Sequence, residues 1–162
     1  MRTQLVEFAV PKQPVIHGRH IDAMIDLSPG GLIWRRTFAG TPGQIPEARR
    51  FARYLLTDSP HQDDAELIVS ELATNALRHT SSGRPGGTFI VEISRTITTA
   101  TIAVYDCGWG GVPRFGIPQR TSARHRRGLA IVEATAHRTG YEGDDATGHK
   151  VWAQLQAHTS LN

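Results

Sequence analysis

The sequence predicts an α/β (α+β) two-layer sandwich, in which a mixed, mainly antiparallel sheet is covered on one face by helices. Segments with apolar residues at helical spacing alternate along the chain with short runs that are rich in β-branched and aromatic residues. Two of these runs are close enough in sequence to form a hairpin. A chain of 162 residues, with 39% apolar and 20% charged residues, is long enough to build one core around such a sheet.

The composition divides the chain into a domain and two flanking segments. Residues 1–31 contain several prolines and no sustained period, so they are predicted to be an irregular extension that forms a short strand or a loose arm. The domain is predicted to span residues 32–157, and a short tail follows at residues 158–162.

The domain is predicted to begin with a strand at residues 32–38 and an amphipathic helix at residues 45–56. A turn of glycines and proline at residues 40–43 separates the two elements. The apolar residues of the helix recur at helical spacing, at Ile45, Ala48, Ala52 and Leu55. This pattern indicates a helix with one face against the core.

A second amphipathic helix is predicted to start at Ser59-Pro60, with the serine as its cap and the proline in its first turn. Its apolar stripe consists of Ala65, Ile68, Val69, Leu72, Ala73 and Ala76. At about 100° per residue, Glu71, Asn75 and Arg78 fall within roughly 60° of each other beside that stripe. A carboxylate there can deprotonate a hydroxyl, and an amide oxygen there can bind Mg²⁺. A polar row that only faces solvent explains the same pattern.

Two further strands, at residues 88–94 and 99–105, are predicted to form a hairpin through residues 95–98. The second strand runs directly into Asp106 and the glycine-rich segment 107–111. An aspartate at a strand end is a fixed acceptor for an exocyclic amine such as that of adenine, and glycines beside it allow close approach of a ligand. A glycine-rich turn in which the aspartate bonds its own backbone is the alternative.

The last predicted elements are a helix at residues 128–137 and two strands at residues 140–142 and 150–156. The intervening segment up to residue 126 has little apolar pattern. The prediction is thus one sheet with three helices.

Taken in order, these segments resemble those of the histidine-kinase-like (GHKL) ATPases, and most closely the small anti-sigma-factor serine kinases and their actinobacterial ATP-binding relatives. The similar motifs are the N box at residues 71–79, two glycine boxes at residues 106–110 and 127–132, and the closing strand motif at residues 148–155. The first strand and helix are similar as well, so the resemblance extends over residues 32–157. It implies the Bergerat-type ATP-binding fold.

The resemblance implies a regulatory protein that binds ATP with Mg²⁺. Glu71 would be the catalytic base that activates a serine hydroxyl of a protein substrate, Asn75 would hold Mg²⁺, and Asp106 would bind the adenine amine. The residues expected to bind the nucleotide are Asn75, Arg78, Asp106, Gly108, Gly110, Arg127, Gly128, Leu129 and Lys150. The expected function is that of an ATP-dependent serine protein kinase and anti-sigma factor in transcription regulation. Its expected partners are a sigma factor, a protein antagonist or both, and a homodimer is also open.

Two departures from the family pattern support a second hypothesis. Lys150 stands where relatives carry Thr or Ser near the adenine, and Trp109 and Gly111 lie among the expected glycines. The second hypothesis is a catalytically weak interaction module, in which bound ATP gates the binding of a partner without turnover. The intact Glu71 favours the kinase, whereas Lys150 and the altered glycine box favour the module.

Arginines between the two glycine boxes predict a lid at residues 111–126, where the family places one. Glycines and prolines break regular structure there, and Arg120, Arg124, Arg126 and Arg127 carry charges that suit phosphate oxygens. The lid is expected to be disordered without nucleotide and partly ordered with it; a solvated basic face is the alternative. Nucleic-acid binding is not supported, because no helix-turn-helix pattern and no aromatic residues accompany the arginines.

The remaining composition predicts a cytoplasmic protein without a membrane span. The sequence has no run of about 18 apolar residues, and its N-terminus lacks the apolar length of a signal peptide. Its one cysteine, Cys107, cannot form an internal disulfide. His17, His20 and Asp22 have a spacing suited to a metal, but no second cluster supports such a site, and a polar arm is the simpler interpretation.

Overall fold

The computed structural model describes residues 24–28, 31–115 and 128–156. Its strands are β1 (Met24–Ser28), β2 (Gly31–Ala39), β3 (Thr88–Arg95), β4 (Thr99–Tyr105), β5 (Arg138–Asp144) and β6 (Gly148–Gln156). Its helices are α1 (Ile45–Leu55), α2 (Gln62–His79) and α3 (Gly128–Thr135). The strands form one six-stranded sheet in the order β1-β2-β3-β4-β6-β5, and the helices pack on one of its faces. The predicted α+β two-layer sandwich is confirmed.

The sheet is antiparallel in all the strand pairings between described residues, where the sequence predicts a mixed sheet. β4 and β5 do run in the same direction, as strands on either side of a crossover helix can. However, β6 returns from β5 and inserts between them. β4 and β5 are therefore not parallel neighbours, and each of them instead forms an antiparallel pair with β6.

The core lies between the helices and one face of the sheet. On this face Val91 lies opposite Val104 and Ile93 opposite Ile102, and all four side chains are buried. The entire predicted stripe of α2 is buried as well, namely Ala65, Ile68, Val69, Leu72, Ala73 and Ala76. Burial of this stripe fixes the rotation of α2, and so fixes where its polar row points.

Two helix boundaries differ from the prediction for local reasons. α2 begins at Gln62 and not at Ser59, because the Ser59 hydroxyl accepts a hydrogen bond from the His61 N–H (3.2 Å) and closes a turn before the helix. α3 ends at Thr135, because the His137 N–H donates to a carbonyl of β6 (2.9 Å) and thereby starts the next strand pairing.

β1 is described and lies within the predicted N-terminal extension.

Several other predictions fall on parts of the chain that are not described. The candidate metal pattern at residues 17–22, lid residues 116–126 and the tail at residues 158–162 lie outside the described residues. No helix in the described parts of the chain is both long enough and apolar enough to cross a membrane.

Candidate functional site

Asp106 follows β4 directly and is held by hydrogen bonds from two parts of the chain. Its Oδ1 accepts from the backbone N–H groups of Gly108 (2.7 Å) and His149 (3.0 Å). Its own N–H donates to the carbonyl of His149 (2.9 Å), and only 2% of its side chain is exposed. The bond from Gly108 is the local turn that the sequence left open as an alternative. No described residue donates to Oδ2, so one oxygen of a fixed carboxylate keeps its capacity to accept.

The glycine segment after Asp106 passes between the end of α2 and the turn that joins β5 to β6. A Cβ at Gly110 would lie 1.6 Å from the carbonyl oxygen of His79. On the other side, a Cβ at Gly108, whose φ is +70°, would lie 2.2 Å from the carbonyl oxygen of Asp145. Both positions therefore require glycine. In each case the atom that the Cβ would meet belongs to the protein's own backbone, so the segment is tightly enclosed on both sides.

Asp145 is a residue of this site that sequence reasoning missed. Its Oδ1 accepts hydrogen bonds from the N–H groups of Gly110 and Gly111 (2.8 Å each), and its carbonyl accepts from the Trp109 N–H (2.8 Å). Trp109 has a positive φ of 61° and is 68% exposed. The only signal in the sequence is a turn pattern, and the partner Gly110 stands 35 residues away. Asp145 thus ties the glycine segment to the β5–β6 turn.

The polar row of α2 lies beside the start of α3. Glu71 and Asn75 are half-buried and Arg78 is exposed, as expected for residues on the shoulder of a buried stripe. A Cβ at Gly128 would lie 2.7 Å from Oε2 of Glu71. The structure therefore brings the predicted base next to a glycine of the second predicted box. Within the described residues, no hydrogen bond or ion pair engages the Glu71 carboxylate.

The other residues of the second predicted box contribute less to the described site. Leu129 packs into the core and is 8% exposed, so its side chain faces other apolar groups. Its backbone remains the only part suited to a ligand. Arg127 lies outside the described residues, together with the predicted lid arginines.

His149 on β6 is a second residue that sequence reasoning missed. Its side chain is 1% exposed, and its Nδ1 lies 3.7 Å from Oδ1 of Asp106. Nδ1 is buried, and none of the described residues provides it with a hydrogen-bond partner. The ring of Tyr141 meets the imidazole edge-on, with centroids 6.1 Å apart. A buried polar atom without a partner thus lies beside the predicted base-binding carboxylate.

Lys150, the next residue of β6, lies apart from the other predicted site residues. Side chains alternate between the two faces of a strand, and Nζ of Lys150 lies 3.1 Å from Oε1 of Glu92 on the face away from the helices. Glu92, which is 5% exposed, also binds the Arg35 guanidinium and accepts from the Tyr105 hydroxyl (2.8 Å). We call Arg35, Glu92, Tyr105 and Lys150 the open-face network. Because side chains alternate along β6, Lys150 lies on the opposite face of the sheet from its neighbour His149, which faces Asp106.

In the open-face network, the positive charges of Arg35 and Lys150 compensate the negative charge of Glu92. Burial alone raises the pKa of Glu92, but the hydrogen bonds from Arg35 and Tyr105 and the charge of Lys150 outweigh it and lower that pKa. Burial and the Glu92 carboxylate together raise the pKa of Tyr105. Burial lowers the pKa of Lys150, but the Glu92 charge and the interactions with Tyr105 together outweigh this effect and raise the pKa. At neutral pH Arg35, Glu92 and Lys150 are therefore charged and the Tyr105 hydroxyl is neutral, with the carboxylate fully paired.

Comparison with known families gives one match. A family model described as the histidine kinase-like ATPase domain matches residues 38–155, which is well over half of the chain. The matched range includes the glycine segment, the polar row of α2 and the whole of β6 up to Leu155. No match was found among curated proteins.

Proposed function

We propose a function from the premise that this chain belongs to the histidine kinase-like ATPase family, as the match over residues 38–155 shows. Membership of that family implies ATP binding and suggests a regulatory role. The function proposed is that of an ATP-dependent serine protein kinase, which phosphorylates a protein antagonist and acts as an anti-sigma factor in transcription regulation.

The observation that carries this proposal is the carboxylate of Asp106. One oxygen is anchored by two backbone N–H groups, while Oδ2 accepts from none of the described residues. A fixed acceptor with a free lone pair suits the exocyclic amine of adenine. The adjoining Gly108 and Gly110 pack closely against the protein's own backbone, so the segment beside this carboxylate is fixed in position. The residues present therefore fit an adenine nucleotide.

The residues also fit a magnesium ion that is bound together with the nucleotide. Asn75 offers a hard amide oxygen on the half-buried shoulder of α2. Mg²⁺ is usually held by one or two protein oxygens together with phosphates and waters. In the described parts of the chain, no three His, Cys, Asp or Glu side chains gather into a metal site. A metal held jointly by Asn75 and phosphate oxygens agrees with this arrangement.

Glu71 is suited to proton transfer. Bound ATP would supply the phosphoryl group, and the attacking group would be a serine hydroxyl of the protein substrate. Glu71 would take the hydroxyl proton as the new O–P bond forms and ADP leaves. Its carboxylate is half-buried, lies beside Gly128, and is not engaged by any described residue. A carboxylate that no described residue engages is available at this place as a base.

The second candidate is an interaction module in which ATP gates partner binding without phosphoryl transfer. One observation favours it: Trp109 sits in the glycine segment with 68% of its surface exposed. A large exposed aromatic residue next to a ligand site is typical of a protein contact. In this proposal the partner contacts the surface around Trp109, and bound nucleotide beside that surface changes the affinity of the partner.

The test combines calorimetry with label transfer from ATP to candidate antagonist proteins, in the presence of Mg²⁺. The Glu71→Gln variant should bind ATP within about twofold of the wild type but lose transfer by about a hundredfold or more. The Glu66→Gln variant is the matched control, because Glu66 lies on the same helix but pairs with Arg53. Undiminished transfer by Glu71→Gln would show that another group is the base. ATP-dependent partner affinity without any transfer by the wild type would establish the module.

A further inference from the structure

All five backbone N–H groups of the glycine segment after Asp106 are bound by the protein's own acceptors. The Cys107 N–H donates to the Ser82 hydroxyl (3.0 Å) and the Gly108 N–H to the Asp106 carboxylate (2.7 Å). The other three donate to Asp145. A glycine-rich loop that cradles phosphates instead aims its N–H groups at the ligand. This segment therefore serves as a fixed wall beside Asp106 and not as a set of donors to phosphate.

Asp145, in the turn between β5 and β6, supports the outer half of the segment. Its backbone carbonyl accepts from the Trp109 N–H (2.8 Å), and its Oδ1 accepts from the N–H groups of Gly110 and Gly111 (2.8 Å each). Successive N–H groups that converge on one oxygen form an anion-binding concavity, and here the Asp145 carboxylate fills it. One residue thus fixes three consecutive peptide groups.

The conformation that these bonds fix is not one that the segment prefers by itself. Trp109 has a positive φ of 61°, which is unfavourable for a residue with a large side chain. Its indole is 68% exposed, so burial of the ring contributes little to this conformation. The hydrogen bonds to Asp145 act directly on the strained peptide and the two that follow it. Without the carboxylate, other conformations of the segment become populated.

The preceding residue, Asp144, has a different role in the same turn. Its Oδ1 accepts from the N–H groups of Ala146 (2.9 Å) and Thr147 (2.8 Å), so it shapes the turn itself. Asp144 and Asp145 are both exposed. The two neighbouring carboxylates therefore separate formation of the turn from support of the glycine segment.

We propose that Asp145 is a positioning residue, which keeps the glycine segment in its binding-competent conformation before the nucleotide arrives. This inference rests on the proposed ATP binding and deepens it. Apparent affinity falls in proportion to the fraction of molecules that are competent to bind, so loss of the carboxylate weakens binding without removing a ligand contact. Because the segment offers no N–H group to phosphates, the loss is the same for ATP and ADP.

The experiment measures the affinity and association rate of ATP and of ADP, by calorimetry and stopped-flow mixing. Asp145→Ala should bind both nucleotides about three- to tenfold more weakly, mainly through slower association. Asp145→Asn keeps a carbonyl oxygen for the two N–H groups and should stay within about twofold of the wild type. The matched control is Asp144→Asn, which removes the same charge from the same turn and should also stay within about twofold.

Amide hydrogen exchange, followed by NMR without nucleotide, tests the support itself. The Gly110 and Gly111 amides should exchange faster in Asp145→Ala than in the wild type or Asp145→Asn, while the amides of β4 keep their protection. Unchanged exchange or unchanged affinity in Asp145→Ala would overturn the inference, and so would a loss for ATP alone or an equal loss in Asp144→Asn. Absence of ATP and ADP binding by the wild type would instead overturn the proposed function, whatever the exchange rates are.

Discussion

Glu92 and Asp106 are both buried carboxylates of one sheet, yet the protein surrounds them differently. Glu92 on β3 is bound by Arg35, Tyr105 and Lys150, so that its charge is fully compensated within the fold. Among the described residues, Asp106 at the end of β4 is anchored through one oxygen only, and the buried Nδ1 of His149 beside it has no hydrogen-bond partner. The first set of residues is complete without a ligand, whereas the second set is not.

We interpret this difference as one between residues that stabilise the fold and residues that are suited to bind a ligand. Breaking a satisfied buried network removes folding free energy. An unsatisfied polar pair contributes little to stability and persists where binding requires it. Substitutions in the open-face network should therefore change the free energy of unfolding. Substitutions at Asp106 should change nucleotide affinity.

The largest effect is expected for Glu92→Ala, which should lower the free energy of unfolding by about 3 kcal/mol in urea titrations. This is the lower end of the range for breaking a buried ion pair, because the partner cations are partly exposed. The matched control is Glu47→Ala, which removes an exposed pair with Arg50 and should cost less than about 1 kcal/mol. Equal losses in the two variants would mean that the open-face network does not stabilise the sheet.

Gly110→Ala, in the glycine segment beside Asp106, should lower the free energy of unfolding by about 1–3 kcal/mol. The added Cβ would overlap a backbone carbonyl that cannot rotate away. Gly43→Ala provides the comparison, because no atom lies within 4 Å of the Cβ it would add. Thermal unfolding should show a lower melting temperature for the first variant only. If both melt alike, the glycine segment is less tightly enclosed than described.

The open-face network also predicts a pH dependence. The lowered pKa of Glu92 means that its contribution is present above its unfolded pKa, about 4.3, and is lost as pH falls through the folded value. The raised pKa values of Tyr105 and Lys150 mean that their contributions are present below about pH 10 and are lost as pH rises through the folded values. The difference in stability between wild type and Glu92→Gln, about 2 kcal/mol at neutral pH, should shrink at both extremes. A difference that stays constant from pH 3 to pH 11 would contradict this assignment.

The smallest effect is expected for Lys150→Met. Its side chain is partly exposed and its charge lies on the face away from Asp106, so the free energy of unfolding should fall by no more than about 1 kcal/mol. Affinity for ATP should stay within about twofold of the wild type. A tenfold loss of ATP affinity would restore Lys150 to the nucleotide site that the resemblance implies.

The sequence predicts the elements of this fold well where a pattern is local. The buried stripe of α2 and the hairpin of β3 and β4 both follow from residue spacing alone. The order of the strands does not, because the insertion of β6 beside β4 depends on pairing between segments that are about fifty residues apart. For the same reason, spacing predicts a mixed sheet where an antiparallel one forms.

The site shows the same limit at the level of single residues. Asp106 and Gly110 are recognisable from the motif that contains them. The role of Asp145 depends on a turn that folds back across the end of the sheet, and the local turn pattern does not identify Gly110 and Gly111 as its partners. His149 and Lys150 are adjacent, and the motif alone does not show which of the two side chains faces Asp106. Only the register of β6 against β4 shows which of the two side chains lies beside Asp106.

The central claim is that the side of the sheet with Asp106 is the nucleotide site and the open face is not. Calorimetric titration of Mg-ATP into wild type, Asp106→Asn and Glu92→Gln tests it most directly. Asn retains an oxygen for the two anchoring N–H groups but replaces the free acceptor with a donor. ATP affinity should therefore fall about ten- to hundredfold in Asp106→Asn and stay within about twofold in Glu92→Gln. Unchanged affinity in Asp106→Asn, or an equal loss in both variants, would contradict the account.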